Sequence, residues 1–285
     1  MTATPPRPRP KAWRPSPFLL ASGALHLTGV AWAAVRPSIL PWVAAGLAAN
    51  HLTAVGAGLW PRSRLLGPNL RRLPEDGAAG RVALTFDDGP DPKVTPQVLD
   101  LLDRTEAKAT FFVIGQLVER HPGLTAEIHA RGHRLGNHTF RHLKRFSILG
   151  PGRTGEEIDR SQEALAQITG YRPVHFRPPA GLRSPWLEPL LARRGLRLVS
   201  WTRRGYDTVR QDSESITGDL LRDLAEGDIL LLHDGRSEGP WHRRPPVLDV
   251  LPRLLEVLQR KGLRSVALPA AGLIGPVTAD SMGVQ

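Results

Sequence analysis

Apolar positions along the chain follow two regimes that change near residue 80. From Phe18 to Val35, and again from Ile39 to Trp60, no side chain carries a formal charge. Eighteen residues of helix extend about 27 Å, and a bilayer's hydrocarbon core is roughly 30 Å thick. Each run is therefore just long enough to cross, with Arg36-Pro37-Ser38 as the turn between two helices. Ala and Gly outnumber Leu in both runs, which weakens insertion but suits close packing of one helix on the other. Trp13, Trp32, Trp42 and Trp60 fall mostly near the run ends, where indoles prefer the interface. Two readings compete with this membrane hairpin. Arg7–Arg14, an apolar run and Ala31-Trp32-Ala33 also fit a cleaved secretory signal, which leaves residues 39–60 unexplained. The other is a buried hairpin in a soluble protein.

Beyond residue 80 the pattern alternates. Strands are expected at 81–86, 109–114, 134–136, 174–176, 196–201, 228–232 and 264–268, each a short apolar or β-rich run closed by a turn. Helical spacing predicts helices over 94–103, 124–131, 154–168, 184–194, 215–225 and 246–261. Thr154 with Glu157 three residues on is a capping-box pattern. Such alternation implies an α/β fold with a parallel sheet and right-handed crossovers. About seven repeats suit barrel-like closure better than an open sheet. In either geometry the chemistry belongs at the C-terminal strand ends.

Charge then changes the picture of the first quarter. The chain carries 38 Lys+Arg against 27 Asp+Glu in 285 residues, a net +11 that invites a nucleic-acid reading. Its distribution argues against one. Nine basic and two acidic residues lie within 1–80, so residues 81–285 hold only +4, 29 basic against 25 acidic. Arg7, Arg9, Lys11 and Arg14 precede the first apolar run, Arg62, Arg64, Arg71 and Arg72 follow the second, and Arg36 alone lies between. The positive-inside rule puts both flanks, and everything after residue 80, on the cytoplasmic face of the inner membrane. No nucleic acid is expected. The organisation expected is a basic Pro-rich leader (1–17), two transmembrane helices (18–60), a basic linker (61–80), a catalytic domain (81–272) and a flexible tail (273–285). With no cysteine, disulfides, thiolate metal sites and cysteine nucleophiles are excluded.

Polar clusters occupy the strand ends. Asp87 and Asp88 follow the first strand, and two adjacent carboxylates are costly to crowd unless something positive stands beside them. A metal ion does this, with one Asp ligating and its neighbour free as a base; an ordinary Asp-Gly turn is the plainer reading. His138 and His142 set two imidazoles four apart, expected on one face of a helical turn, with Asn137 and Thr139 available to orient them. With Asp88 they complete a two-His, one-carboxylate set, which leaves coordination positions open and so reads as catalytic. A non-haem iron oxygenase uses the same set. The second Asp beside it, and His233 ending an apolar strand, favour hydrolysis, which needs both a base and an acid. Arg177-Pro-Pro-Ala-Gly181 puts a guanidinium on a rigid loop fit to hold a carboxylate.

Read in order, Thr85-Phe-Asp-Asp-Gly-Pro90, His138-Thr-x-x-His142, Arg177-Pro-Pro-x-Gly181, Trp201-Thr-x-x-x-x-Asp207 and Leu230-x-x-His233 resemble the five motifs of NodB-homology polysaccharide deacetylases, the carbohydrate esterase family 4 group. The resemblance covers roughly residues 80–270 and does not reach the hairpin. It implies a distorted, incomplete (β/α) barrel with one divalent metal, zinc foremost, cobalt or nickel otherwise. It implies Asp88, His138 and His142 as ligands, Asp87 as general base, Arg177 as the group orienting Asp87, and His233 as the acid that protonates the departing amine. Asp207 is then the carboxylate tuning His233. Leu231 or Leu230 would line the acyl-methyl pocket, and Pro178, Pro179, Ala180, Gly181 and Trp201 would belong to the substrate pocket. A backbone N–H of the Arg177–Gly181 loop would join the metal around the oxyanion. The sequence departs from the family pattern at Ala180, where an aromatic residue is common, and at Asp207, which is followed by Thr208 rather than Trp and preceded by Arg203 and Arg204. A more open and more cationic groove is expected.

The activity expected is metal-dependent hydrolysis of an N-acyl group, acetyl foremost, from an amino sugar in a polysaccharide, oligosaccharide or lipid-linked glycan. The alternative, given a cytoplasmic domain, is a deformylase or deacetylase of an undecaprenyl-phosphate-linked aminosugar at the inner leaflet. Arg203, Arg204, Arg243 and Arg244 would then meet phosphate or headgroups. Readings of other classes are a non-enzymatic basic membrane or nucleic-acid-binding protein and a small-molecule amidohydrolase.

Overall fold

A computed structural model describes residues 8–235 and 244–269; the expected flexible tail, 273–285, and residues 1–7 of the leader lie outside them. Helices α1 (Pro17–Val35) and α2 (Leu40–Leu59) form a hairpin joined by a single turn at Pro37–Ile39. Ser16 caps α1 by accepting from the Leu19 amide at 3.3 Å, with Pro17 at the first helical position. Gly29 faces Val43 closely, and polar side chains pair between the helices: Asn50 donates to the Ser22 hydroxyl at 2.8 Å, and the His26 and His51 Nε2 atoms stand 3.3 Å apart. No residue of α1 is buried, and in α2 only Ala57 and Gly58 are. Leu27, Trp32, Val35, Trp42 and Leu52 are each more than 70% exposed. The hairpin is thus not the buried core of a soluble fold.

The remainder is a parallel α/β unit. In chain order it comprises α3 (Glu75–Ala78), β1 (Arg81–Asp87), α4 (Thr95–Asp103), β2 (Ala109–Val113), α5 (Gly115–Arg120), α6 (Pro122–Ala130), β3 (Arg134–Asn137), α7 (Pro151–Thr169), β4 (His175–Phe176), α8 (Leu187–Arg193), β5 (Arg197–Leu198), β6 (Arg203–Arg204), α9 (Ser213–Leu221), β7 (Ile229–His233), α10 (Val247–Arg260) and β8 (Arg264–Ser265). The sheet runs β5-β4-β3-β2-β1-β7-β6, every pairing parallel, with β8 at the start of β1. It curls into the incomplete barrel the sequence predicts. Side chains of β1 and β2 are buried on both faces, as in sheets covered by helices. One face packs Leu84, Phe86, Phe111 and Leu230 under α4, α9 and α10; the other points Ala83, Phe112, Ile229 and Leu231 into the barrel.

Closure depends on two segments whose sequence suggested something else. Of the strand expected over 196–201 only Arg197–Leu198 forms one, β5, and an unexpected short strand, β6, lies on the opposite edge, with residues 199–202 crossing between them. The segment expected as a linker, 61–80, backs that crossing. Leu70 exchanges backbone hydrogen bonds with the Leu198 carbonyl (3.0 Å) and the Ser200 amide (2.9 Å). Leu73 bonds Gly227 and is buried with Val199, Trp201 and Leu268, while Arg72 pairs with the buried Asp228 at 2.9 Å. The leader is docked too: the Lys11 amide reaches Ala192 (2.8 Å) and the Ser16 hydroxyl donates to Leu65 (2.6 Å). Both ends of the hairpin are therefore fastened to the same domain. The capping box does not form either. Helix α7 begins a turn earlier, at Pro151, Thr154 bonds back to Gly150, and Glu157 instead binds Arg141.

If residues 61–74 are part of the fold, Leu73→Ala should cost about 2–4 kcal/mol of unfolding free energy, and the half-exposed Leu65→Ala far less. Chemical denaturation of the full chain checks this; equal small losses would return the segment to the role of a passive linker.

Candidate active site

The site gathers at the C-terminal ends of β1, β3, β4 and β7. In a strand successive side chains alternate faces, so neighbouring aspartates should diverge. Asp88 adopts φ 72°, a left-handed conformation that Asp tolerates better than most residues. Both carboxylates consequently lie within 4 Å of one imidazole: His138 Nε2 is 3.9 Å from Asp87 Oδ2 and 3.4 Å from Asp88 Oδ1. His142 Nε2 is 3.1 Å from Asp88 Oδ1. Expected on a helical turn, the two histidines instead occupy a loop, with left-handed Thr139 and His142 bringing the rings to 4.9 Å between centroids. Asn137 and Thr139 shape it: Asn137 Oδ1 accepts from the Thr139 amide and Thr139 Oγ1 from that of His142.

Asp88, His138 and His142 offer donor atoms that all lie within 4.8 Å of one another. The Arg177 carbonyl can only accept, so His138 Nδ1, 2.7 Å away, carries its proton and Nε2 turns a lone pair to the site. Burial raises the Asp88 carboxyl pKa, but the hydrogen bond to His138 and the electrostatic attraction of His233 and the two flanking imidazoles outweigh it. They hold the carboxyl well below the usual carboxylate range. An ionised carboxylate with two imidazole nitrogens fits a divalent cation of zinc's kind.

Around this set the other residues take fixed places. Arg177 is fully buried, and Nη1 donates to Asp87 Oδ1 at 2.7 Å and to Thr85 Oγ1 at 3.0 Å. Opposite, His233 Nδ1 faces Asp207 Oδ1 at 2.8 Å, and the His233 amide donates to Asp207 Oδ2 at 2.8 Å. Burial disfavours charge on His233, yet the Asp207 carboxylate, with Asp88 and Asp87, raises its pKa to about 9.

The cleft, about 170 Å³, is lined by the two aspartates and three histidines together with Pro179, Ala180, Gly181, Trp201 and Leu231. Pro178 is not among its lining residues, and Leu230 points to the helix side of the sheet, because strand alternation allows only one of the two leucines inside. Lys144, Arg204 and Thr208 complete the lining. Lys144 carries no sequence signal. Asp234 was also unforeseen: its buried carboxylate accepts from Thr95 Oγ1 at 2.5 Å and lies against Gly89, where any Cβ would collide with it. Burial raises its pKa to about 7.

A parallel, incompletely closed barrel with an Asp-His-His set and a second acid–base pair at its strand ends defines a class of hydrolase fold. Residues 75–199 match the family described as polysaccharide deacetylase. The chain is 35% identical over 189 residues to a peptidoglycan-N-acetylglucosamine deacetylase of Bacillus cereus, covering 66% of this chain and 85% of that protein. It is 34% identical over 199 residues to a chitooligosaccharide deacetylase of Azorhizobium caulinodans, covering 66% and 92%. A crystal structure of a peptidoglycan N-acetylglucosamine deacetylase bound to a naphthyl-substituted N-oxidanyl-benzamide superposes with a TM-score of 0.62 at 31% identity, over 70% of this chain and 91% of that one. The family 4 carbohydrate esterase from Streptomyces lividans, in complex with acetate, gives 0.60 at 31% identity, over 67% and 100%. The chain belongs to the polysaccharide deacetylase family, whose members are hydrolases acting on amide bonds.

Because Asp207 holds the His233 proton, Asp207→Asn should lower the imidazole pKa from about 9 toward the ordinary value of about 6.5. A folded-state pKa raised above the unfolded one gives stability that is complete below pH ~6.5 and lost as pH rises through about 9. NMR titration of the His233 ring in parent and variant tests this; an unchanged pKa would dissociate the pair.

Proposed function

We propose that this chain is a membrane-tethered, divalent-metal-dependent deacetylase of N-acetylglucosamine units in a glycan. The observation that carries the reading is the opposition of two proton-handling groups across one small cleft: Asp87, held by Arg177, and His233, held by Asp207. Asp88, His138 and His142 would hold the ion, zinc foremost; when bound it supplies a Lewis acid that polarises the amide carbonyl and acidifies a water. Asp87 takes the proton from the attacking water. Arg177 occupies Oδ1 of that carboxylate, leaving Oδ2 for the proton. The C–O bond forms first, moving the carbonyl π electrons onto oxygen; as that oxyanion collapses the C–N bond breaks, and His233 Nε2 delivers the proton without which the amine does not leave. Asp207 keeps the opposite nitrogen protonated. For the oxyanion the loop has one amide to give. Arg177 N–H bonds Asn137, Pro178 and Pro179 have no N–H, and Gly181 N–H bonds Pro178, which leaves Ala180. Leu231 meets the acyl methyl.

The hairpin supports the membrane assignment. Helices of 19 and 20 residues expose Leu, Val and Trp throughout, which a water-soluble surface does not sustain. The docking of both the leader and residues 61–74 onto one domain suits an even number of crossings. The basic flanks favour the cytoplasmic side for that domain.

Asp87→Asn is expected to lower amine release from acetylated chito-oligomers about 10²–10⁴-fold, with zinc binding by calorimetry retained. His138→Ala should lose both activity and zinc affinity, and activity surviving in either variant would overturn the assignment. For sidedness, the cysteine-free chain allows a single Ser38→Cys substitution: a membrane-impermeant maleimide should label it in intact cells, and should not label a Glu106→Cys variant. The opposite pattern would reverse the topology.

A further inference from the structure

A second cavity, about 490 Å³, lies at the base of the hairpin and shares no lining residue with the catalytic cleft. Three stretches of chain wall it: Lys11–Arg14 of the leader, Arg64 and Pro68–Leu70 of the segment leaving α2, and parts of α8 and β5 that include Glu188 and Arg197. Its place relative to the helices is fixed. Arg14 stands three residues before Pro17, the first residue of α1. The Ser16 hydroxyl donates to the Leu65 carbonyl at 2.6 Å, so Arg64 lies beside that same helix end. Trp13, 41% exposed, forms part of the wall.

The charge in this cavity is unbalanced. Lys11, Arg14, Arg64 and Arg197 line it, and among the described residues none of their side chains makes a hydrogen bond or an ion pair. Glu188 is the one acidic residue on the wall. It packs against Gly67, where a Cβ would lie 2.9 Å from its Cγ, and its buried Oε2 has no hydrogen-bond partner. Burial pushes that carboxyl up to about 7, so at neutral pH it offsets less than one of the four cations. Partial burial and the charge of Arg197 hold the Lys11 ammonium below its ordinary value, as expected where like charges are crowded without an anion. The space falls within the ordinary range for a small ligand, about 300–1,000 Å³. Guanidinium forks match phosphate oxygens, and phosphates are the anions present at the level where membrane helices end.

We propose that this cavity binds the headgroup phosphate of one anionic phospholipid, taken from the leaflet in which the two helix ends sit. The inference rests on the membrane-tethered half of the functional reading and is independent of the reaction. A zwitterionic lipid would carry its own ammonium into a space that already holds four cations, so net-anionic headgroups are favoured. Trp13 stands at the level where an indole is at home. Bound there, the phosphate ties together the leader entering α1, the segment leaving α2, and β5. β5 in turn leads into the crossing that closes the barrel, so the lipid fastens the membrane anchor to the catalytic domain.

The test titrates the full chain, in a neutral detergent, with phosphatidylglycerol or phosphatidylcholine of equal chain length, read by native mass spectrometry and by the unfolding midpoint. One phosphatidylglycerol per chain should bind about ten-fold or more tightly than phosphatidylcholine and should raise the midpoint. Arg14→Gln/Arg64→Gln should abolish that preference. Arg62→Gln/Arg71→Gln, an equal loss of charge after α2 but outside this cavity, should keep it. The two lipids are compared within one variant, so a less stable variant still reports. Equal binding of both lipids by the parent, or equal loss of preference in both variants, would overturn the site. So would inorganic phosphate raising the midpoint as far as phosphatidylglycerol at equal concentration, which would make this a free-anion site. A chain that stays monodisperse in buffer without detergent would sink the membrane reading and the site with it; in a chain that needs detergent, indifference between the lipids sinks the site alone.

Discussion

One buried cation sets the geometry on which everything else rests. The Arg177 guanidinium has no accessible surface, and burying an unpaired charge costs several kcal/mol even after relaxation. Its donors are met on several sides: Asp87 and Thr85 from β1, and the Val199 and Ser200 carbonyls from the crossing after β5. Its face lies 4.1 Å from the Phe112 ring centroid. Its own carbonyl fixes the tautomer of His138. One residue thereby orients the proposed base, aims a proposed ligand and pins the segment that closes the barrel. A lysine, with a point charge on a flexible stem, could not reproduce this forked arrangement.

The closing segment links the chemistry to the hairpin. Residues 199–202 cross the gap between sheet edges, Leu70 and Leu73 back them, and the chain carrying those leucines comes directly from α2. The Gly58 carbonyl near the end of α2 accepts from the Arg183 amide, two residues beyond the active-site glycine Gly181. A Cβ on Gly58 would sit 2.4 Å from the Arg183 carbonyl oxygen, so only glycine permits that approach. The hairpin is thus seated on the domain with no free linker between, and its orientation is coupled to the cleft.

Much of this was legible in residue order. Apolar runs after residue 80 marked seven of the eight strands, since a two-faced buried strand needs contiguous apolar residues. The Asp-Asp, His-x-x-x-His and Arg-Pro-Pro clusters marked their ends. What escaped detection has a common physical cause. β6 is Arg203–Arg204, a strand of charged residues whose edge position leaves one side unpaired, so no hydrophobic pattern announces it. Residues 61–74 read as a linker because arginines, prolines and a glycine interrupt their leucines and leave no period, while backbone hydrogen bonds and the buried Leu66 and Leu73 hold the segment in the fold. Thr154 and Glu157 satisfied a capping rule locally, but Arg141 offered Glu157 a charge-assisted bond across the fold. Leu230 and Leu231 could be separated only once strand register fixed which faces inward.

Two departures from the family pattern make sense together on the proposed reading. Ala180 stands exposed at the cleft with φ 54°, removing the aromatic wall against which a polymer's sugar ring would stack. Arg204, by contrast, is held over Trp201 and Tyr206 at the edge of the cleft. A free polymer must be gripped along several sugars to stay in place. A domain tethered to the membrane meets a substrate at that surface at an effective concentration set by the tether rather than by contacts along a groove. Under that constraint the side wall loses its purpose, and Arg204 lines the cleft where it can hold a sugar by charge-assisted hydrogen bonds. Exchange of a stacking surface for a guanidinium is then one change in how the sugar is held, with Asp87, Asp88, His138, His142 and His233 all in place.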